Sequence, residues 1–339
     1  MHTIPPIGQV PAVVAPDVPI LGPAEYSSAL QRGRRPYHDH YYAMYSSLLG
    51  GLVTDPVLMQ IPVDDHLVHR GDGVFDTCKC VDGAIYNLGA HLARIERSAK
   101  AIGIAWPDGI DAIRALTVST LRAGGRRDCS GRVILARGPG GFGVSPYESP
   151  APALYILAYA LGAPFMALHP RGARARRSAI PCKPALFAGV KNCNYLPNVL
   201  MKREAVDAGV DYVVGFDPDG HLTEGPTENA GIVTRDGELA FPRLENILAG
   251  TTMLRVVELA RELIAAGTVA SVRYRDITEA DVRAAAEMLM VGTTINVVSV
   301  CEYNGHPVGT GVPGTVGRGL DDLLVRDIHT HARLRTRVF

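Results

Sequence analysis

No stretch of this chain stays apolar for the roughly 20 residues that cross a bilayer. The longest such run, Ala151 to Ala163, is interrupted by proline and tyrosine and reads as a buried strand with its flanks. Charge of one sign is also missing. The 34 Lys and Arg stand against 34 Asp and Glu, which removes the electrostatic case for nucleic acid or an anionic membrane surface as a partner. The densest basic run, Arg171, Arg174, Arg176 and Arg177, reads as a solvated loop. Cysteines are few and dispersed (Cys78, Cys80, Cys129, Cys182, Cys193, Cys301), so they form no disulfide framework. Cys78 and Cys80 would share one face of a strand and read as two small buried side chains. The N-terminus has no basic start followed by an apolar stretch, so a secretory leader is not expected and the cytoplasm is the expected compartment. Internal repeats and low-complexity tracts are absent too.

What remains is a chain of 339 residues, 47% hydrophobic and 20% charged, long enough for two domains that share a cleft. Residues 1–24, rich in proline and valine, read as an N-terminal arm. Residues 25–163 read as an α+β domain, an antiparallel sheet with helices on one face. Its expected strands are Tyr41–Ser46, Val57–Val63, Val74–Val81, Ala84–Leu88, Gly131–Ala136 and Leu154–Tyr159, with helices Leu92–Ile102 and Ile110–Ala123. Asp82-Gly83 between two of the strands is a hairpin signal. Residues 164–177, with two prolines, a glycine and the basic run, read as a linker.

Residues 178–339 read as mixed β structure with helices. Strands are expected at Ser178–Pro181, Asp211–Phe216, Ala230–Thr234, Ser271–Arg273, Glu287–Val291 and Val297–Tyr303. Helices are expected at Tyr195–Ala208, Thr252–Ala266, Glu279–Ala285 and Gly317–His331.

The chemistry concentrates in the second half. Lys191 follows an apolar stretch, where poor solvation would let an amine lose its proton near neutral pH and attack a carbonyl. Tyr195 lies four residues on, which puts both on one face if they share a helical turn. Glu224 and Glu228 flank the turn Gly225-Pro226. Gly250-Thr251-Thr252 opens a helix, whose unpaired N–H groups suit a phosphate, although threonine also caps helices for its own sake. Gly292-Thr293-Thr294 ends a strand, and Arg94 on the Leu92–Ile102 helix could fork onto a phosphate. An amine, a phenol, a buried carboxylate and a phosphate cradle are the parts that hold and tune pyridoxal 5'-phosphate. Gly138-Pro139-Gly140-Gly141-Phe142-Gly143 matches G-x-G-x-x-G, but the segment after it cannot start a helix cleanly, so no dinucleotide site is expected. Asp64-Asp65-His66 with His69 lacks a second cluster, so no metal site is expected.

These segments, in this order from Ala43 to the end, resemble the class IV aminotransferase family of branched-chain and D-amino-acid enzymes. The resemblance rests on Asp64 through Thr77, His91 through Ala99, Lys191 through Leu200, Glu224 through Asn229, Leu248 through Arg255 and Met290 through Thr294. Ala43 through Ser47 and Val190 through Leu200 look like the plant D-amino-acid transaminase branch. The resemblance implies fold type IV, a smaller N-terminal α/β sandwich and a larger barrel-like mixed β domain with helices.

It implies that Lys191 is similar to the Schiff-base lysine, Tyr195 to the tyrosine at the ring hydroxyl and Glu224 to the carboxylate at the pyridine nitrogen. Arg94, Thr251, Thr252 and Thr293 match phosphate-binding positions, and Leu248 a residue packed on the ring. It further implies a homodimer whose site the partner subunit completes. The implied activity is ping-pong transamination between an amino acid, D-amino acids foremost, and a 2-keto acid. An aminodeoxychorismate lyase releasing pyruvate, a branched-chain L-amino-acid or (R)-amine transaminase, and a non-catalytic binding protein on the same scaffold are the alternatives. Intact Lys191, Tyr195 and Glu224 weigh against the last.

Two departures bear on substrate choice. Bacterial D-amino-acid transaminases hold the substrate carboxylate with an arginine and a histidine in the loop that here runs from Gly138 to Pro146 and has neither. The usual aromatic before Gly-Asp-Gly is Arg70. Arg70, with Arg132, is therefore expected to hold the carboxylate, and Phe75 and Thr294 to complete the substrate pocket.

Overall fold

A computed structural model describes residues 18–106 and 109–339. Most of the expected arm, residues 1–17, lies outside the described residues. The elements in chain order begin with α1 (Pro23–Arg32), β1 (Tyr41–Ser46), β2 (Gly51–Val53), α2 (His66–Arg70), β3 (Gly73–Val81), β4 (Ala84–Tyr86), α3 (Leu88–Ala101) and α4 (Ile110–Ala123). Then come β5 (Cys129–Ala136), β6 (Ala153–Tyr159), α5 (Phe165–Leu168), β7 (Ala173–Arg177), α6 (Ala185–Ala188), α7 (Leu196–Asp207), β8 (Tyr212–Val214), β9 (Asn229–Val233) and β10 (Glu238–Phe241). The chain closes with α8 (Thr251–Ala265), β11 (Ser271–Tyr274), α9 (Glu279–Ala284), β12 (Glu287–Gly292), β13 (Asn296–Tyr303), β14 (His306–Pro307), α10 (Thr315–Thr330) and β15 (Arg335–Arg337).

The first sheet is antiparallel, in the order β15-β4-β3-β5-β6-β1-β2. Helices α3 and α4 pack on one face, where their Leu92, Ile95 and Leu121 join Val74, Cys78, Cys80 and Ile156 of the sheet in one core. Cys78 and Cys80 are thus two buried core side chains, and the cysteines are free. The β3–β4 hairpin turns at Asp82 and Gly83, both at positive φ (51° and 77°), the geometry that Asp-Gly supplies.

The second sheet runs β11-β10-β9-β12-β13-β7-β8, with β14 beside β13. It wraps a core to which β8 at one end and β10 near the other both contribute, through Tyr212, Val214, Ala230, Ile232, Ala240, Met288 and Met290. The alternate residues Leu289, Val291 and Val297 face α8 and α10. Period-two burial therefore gives this sheet two apolar faces. Among the described residues, no helix is long and apolar enough to cross a membrane.

Several expectations fail for identifiable reasons. The segment read as a linker carries α5 and β7, and β7 lies between β13 and β8, parallel to both. Ala173 and Ala175 point into the core while Arg174, Arg176 and Arg177 are exposed, so three of the four arginines of the basic run lie on a strand. The last strand, β15, pairs with β4 and covers an edge of the first sheet, so the chain ends outside the sheet to which its expected domain was assigned. Val57–Val63 forms no strand. Pro56 and Pro62 remove two ladder donors, and Asp55 caps a short 3₁₀ turn at Val57 instead. Ser178–Pro181 forms none either, because the Ser178 hydroxyl and the Ala179 N–H donate to the Glu204 carboxylate.

Candidate active site

Lys191 sits on an extended segment laid along β3, not on a helix. The Phe75 N–H donates to the Lys191 carbonyl (3.0 Å), Cys193 N–H to Gly73 O (2.8 Å), and Lys191 N–H to the Ser98 hydroxyl (3.1 Å). Tyr195 ends this segment as the residue before α7. The two side chains still meet, with Nζ 3.2 Å from the Tyr195 Oη, but strand pairing and a helix start bring them together instead of a shared helical turn. Burial, reinforced by Arg94, pushes the Lys191 ammonium down to about 8, against the opposing pull of Asp76 and Glu224. Burial raises the Tyr195 phenol, so it stays protonated at neutral pH.

The amine opens into a cavity of about 290 Å³ between the two sheets. Lys191, Tyr195, Arg94, Glu224, Leu248, Thr251, Thr252 and Thr293 all line it, as do Phe75, Arg132 and Thr294. A larger depression of about 770 Å³ near Arg171 and Cys301 holds none of these groups, so size alone does not mark the site.

One end of the cavity is built for an anion. Helix α8 starts there, and its N-cap is Gly250, which has no side chain to pair the first-turn N–H groups. The Thr251 and Thr252 hydroxyls are therefore not spent on capping. Thr252 Oγ1 lies 3.3 Å from Thr293 Oγ1, and Thr251 Oγ1 lies 3.5 Å from His91 Nε2. A β-carbon on Gly250 would collide with the Asn229 side chain, whose amide donates to Leu248 O (2.8 Å). Glycine here lets the helix start come close.

Arg94 is buried against Asp76. Its Nε and Nη2 donate to the two carboxylate oxygens, both at 2.8 Å, and His91 Nδ1 meets Oδ1 at 2.8 Å. Burial alone would favour the neutral acid at Asp76, but Arg94 and His91 outweigh it and hold the carboxyl well below its usual range. Asp76 and His91 were part of the sequence resemblance without an assigned role. The i, i+3 spacing of His91 and Arg94 on α3 is the signal that pairs them.

Glu224 forms the other end. Its Oε2 accepts the Leu248 backbone N–H (3.1 Å). Part of its surface opens to the cavity, yet protein surrounds it, and burial pushes its carboxyl up to about 7 despite Lys183, the Leu248 N–H and Lys191. Glu228 lines the cavity as well, with its carboxylate turned to the Thr227 N–H (3.0 Å) and hydroxyl.

On the first-sheet wall, Phe75 and Thr77 on β3, Arg132 on the adjacent β5 and Tyr159 on β6 beyond it share one face. Arg132 Nε donates to Thr77 Oγ1 (3.3 Å), and its guanidinium lies over the Phe75 and Tyr159 rings at 5.2 and 5.4 Å. Arg70 lies elsewhere. It is exposed, does not line the cavity, and donates to the carbonyls of His69, Phe142 and Gly143. Its fork is spent on pinning the loop after β5, which corrects its expected place beside a substrate.

The Amino-transferase class IV family model matches residues 73–303, which take in strands of both sheets and every side chain of the cavity. The chain belongs to the class IV aminotransferases. The chain is 38% identical over 315 residues to a chloroplastic D-amino-acid transaminase of Arabidopsis thaliana, covering 93% of this chain and 83% of that one. A putative branched-chain-amino-acid aminotransferase of Methanocaldococcus jannaschii is 30% identical over 83% of this chain and 96% of its own. A bifunctional aminodeoxychorismate lyase / D-amino acid transaminase of Mycobacterium tuberculosis is 33% identical over 63% of this chain and 77% of its own. A T.th. branched-chain amino acid aminotransferase with pyridoxamine 5'-phosphate superposes with a TM-score of 0.81 at 26% identity, over 88% of this chain and 99% of that one.

The fold is fold type IV, and the chain is an aminotransferase whose cofactor is pyridoxal 5'-phosphate. The cavity fits that group chemically. A guanidinium, hydroxyls and a helix start suit a phosphate at one end, a carboxylate suits a ring nitrogen at the other, and a poorly solvated amine stands between them.

Proposed function

We propose that this class IV aminotransferase exchanges the amino group of a D-amino acid with a 2-keto acid in a ping-pong cycle. The observation that carries the reading is the convergence of Lys191, Tyr195, Glu224 and Arg132 on one cavity. When bound, pyridoxal phosphate supplies a carbonyl that condenses with amines and a ring that accepts the electron pair left when a Cα proton departs. Arg94, Thr251, Thr252, Thr293 and the start of α8 would hold its phosphate. Tyr195 would meet the ring hydroxyl and Leu248 would pack on the ring. Glu224 would keep the ring nitrogen protonated.

Lys191 has two roles: its Nζ is the nucleophile and then the base that carries the Cα proton. An ammonium depressed to about 8 leaves a usable neutral fraction at physiological pH. Phe75 and Thr294 bound the substrate side chain. Arg132 receives the substrate carboxylate, since among the described residues it forms no ion pair and it already faces the cavity.

The preference for the D series is supported by the 38% identity to a D-amino-acid transaminase. We extend the reading to a homodimer, supported by the exposed apolar side chains of Leu186, Phe187, Leu196, Val199 and Leu200 around α6 and α7. We extend it to the cytoplasm as well, supported by the free cysteines.

A coupled assay with D-alanine, L-leucine, (R)-1-phenylethylamine and aminodeoxychorismate as donors tests the reading. D-alanine with 2-oxoglutarate should turn over fastest. Faster L-leucine turnover would overturn the assigned hand, and pyruvate release from aminodeoxychorismate as the dominant reaction would make the protein a lyase. In the same assay Arg132→Leu should raise the D-alanine KM by roughly 30-fold or more, the cost of stranding a buried carboxylate. Arg70→Ala should leave that KM near its wild-type value. A rise confined to Arg70→Ala would return the carboxylate to the loop.

A further inference from the structure

Glu224 has a second lysine behind it. Lys183 precedes Pro184 on the segment between β7 and α6 and does not line the main cavity. With Glu224 it lines a small chamber of about 20 Å³. Glu224 and Gly225 line both spaces and so form the wall between them. The Lys183 Nζ sits 4.6 Å from the centre of the Tyr195 ring, which ties the amine to the same corner of the site. Its stem is half-buried, and burial lowers its proton affinity while Glu224 offsets part of that loss.

Glu224 needs such a partner. Among the described residues, the only hydrogen bond its carboxylate accepts is from the Leu248 N–H. Lys191 is close as well but must shed its proton to act as a base, so it cannot stand as a permanent countercharge. The other charged or titratable groups near Glu224 are Glu228, which opposes its ionisation, Arg94, Tyr195 and Cys182.

We propose that Lys183 is a positioning residue for this reaction: its ammonium occupies the chamber behind Glu224 and keeps that carboxylate negatively charged toward the cofactor ring. The proposal rests on the transaminase reading, in which a neutral acid at Glu224 could not hold the ring nitrogen protonated. Lys183 touches neither reacting atom. It acts through Glu224 and, to a smaller degree, by disfavouring the ammonium form of Lys191.

The test compares Lys183→Met, Lys183→Arg, Glu224→Gln and the Lys183→Met/Glu224→Gln double variant. Lys183→Met should move the acid limb of the kcat–pH profile upward by on the order of one unit, as expected for loss of one opposite charge near a carboxylate. At pH 7, where Glu224 starts from about 7, kcat should fall by about fivefold, with the D-alanine KM unchanged. Lys183→Arg should restore the limb. In the Glu224→Gln background Lys183→Met should leave only a minor residual effect, the part exerted on Lys191, whereas a merely structural lysine would cost the same in both backgrounds.

In the apoprotein, the infrared carbonyl band of protonated Glu224, identified by its absence in Glu224→Gln, should persist to higher pH in Lys183→Met than in wild type. Superimposable acid limbs, equal losses in both backgrounds, or an unmoved infrared band would each overturn the proposal. An inactive wild-type enzyme would overturn the transaminase reading instead, and the infrared measurement would still decide the pairing of Lys183 with Glu224.

Discussion

Lys191→Ala abolishes transamination, with kcat expected to fall by more than about 10⁴-fold. General acid–base catalysis alone is worth up to about 10⁴, and the same Nζ is also the nucleophile. The loss should be accompanied by disappearance of the visible absorbance that marks the lysine-bound cofactor. Wild-type apoprotein should react with pyridoxal phosphate faster as pH rises through about 8, because burial depresses the ammonium to that range and only the neutral amine attacks. A Lys191→Ala enzyme that retains wild-type kcat, or a reaction rate flat across that range, would remove Lys191 from both roles. Lys183 cannot substitute, since Glu224 stands between it and the main cavity.

The order of motifs in the chain carried most of this site, while the local geometry came from pairings that sequence spacing does not contain. Lys191 and Tyr195 were legible as partners from a spacing of four, yet the contact arises because 191–193 pairs with β3. Thr251 and Thr252 were ambiguous between cap and ligand. Gly250 is the N-cap, so neither threonine caps the helix, and a shift of one residue in that register decides it. Helical spacing does not show that Arg94 is buried, because its burial depends on Asp76, 18 positions earlier on β3.

Arg70 was misplaced for a related reason. An arginine before Gly-Asp-Gly has the right charge, but α2 ends at Arg70 and Gly71 turns the chain at φ 64°, which sends the guanidinium to the carbonyls of Phe142 and Gly143. In the fold, β7 was hidden by composition. Its alternation of alanine and arginine has the period of a strand, but alanine is too small to register as an apolar face, and three arginines in five residues imitate a loop. Lys183 escaped because a half-buried lysine next to proline has no distinguishing pattern until Glu224 is folded against it.

Asp76→Asn should weaken cofactor binding and lower stability together, although Asp76 does not line the cavity. The carboxylate holds Arg94 through two hydrogen bonds and His91 through a third. Removing one partner of a buried ion pair costs ~3–5 kcal/mol, because the remaining charge is left without compensation. For a chain of this size that corresponds to a fall in Tm on the order of 5–10 °C. The released side chains are the ones that reach Ala249 O and Thr251 Oγ1 at the start of α8, so affinity for pyridoxal phosphate should fall as well.

The pH dependence distinguishes lost charge from lost packing. The folded state holds the Asp76 carboxyl below its usual value of 3.8, so the unfolded chain binds the proton first. Its contribution is then complete above about pH 3.8 and is lost as pH falls through the lower folded value. The Tm difference between wild type and Asp76→Asn should therefore stay constant from pH 7 down to about 4 and narrow only below that. A gap that closes between pH 7 and 5 would point to His91 as the source, and no gap at any pH would remove Asp76 from its place behind Arg94.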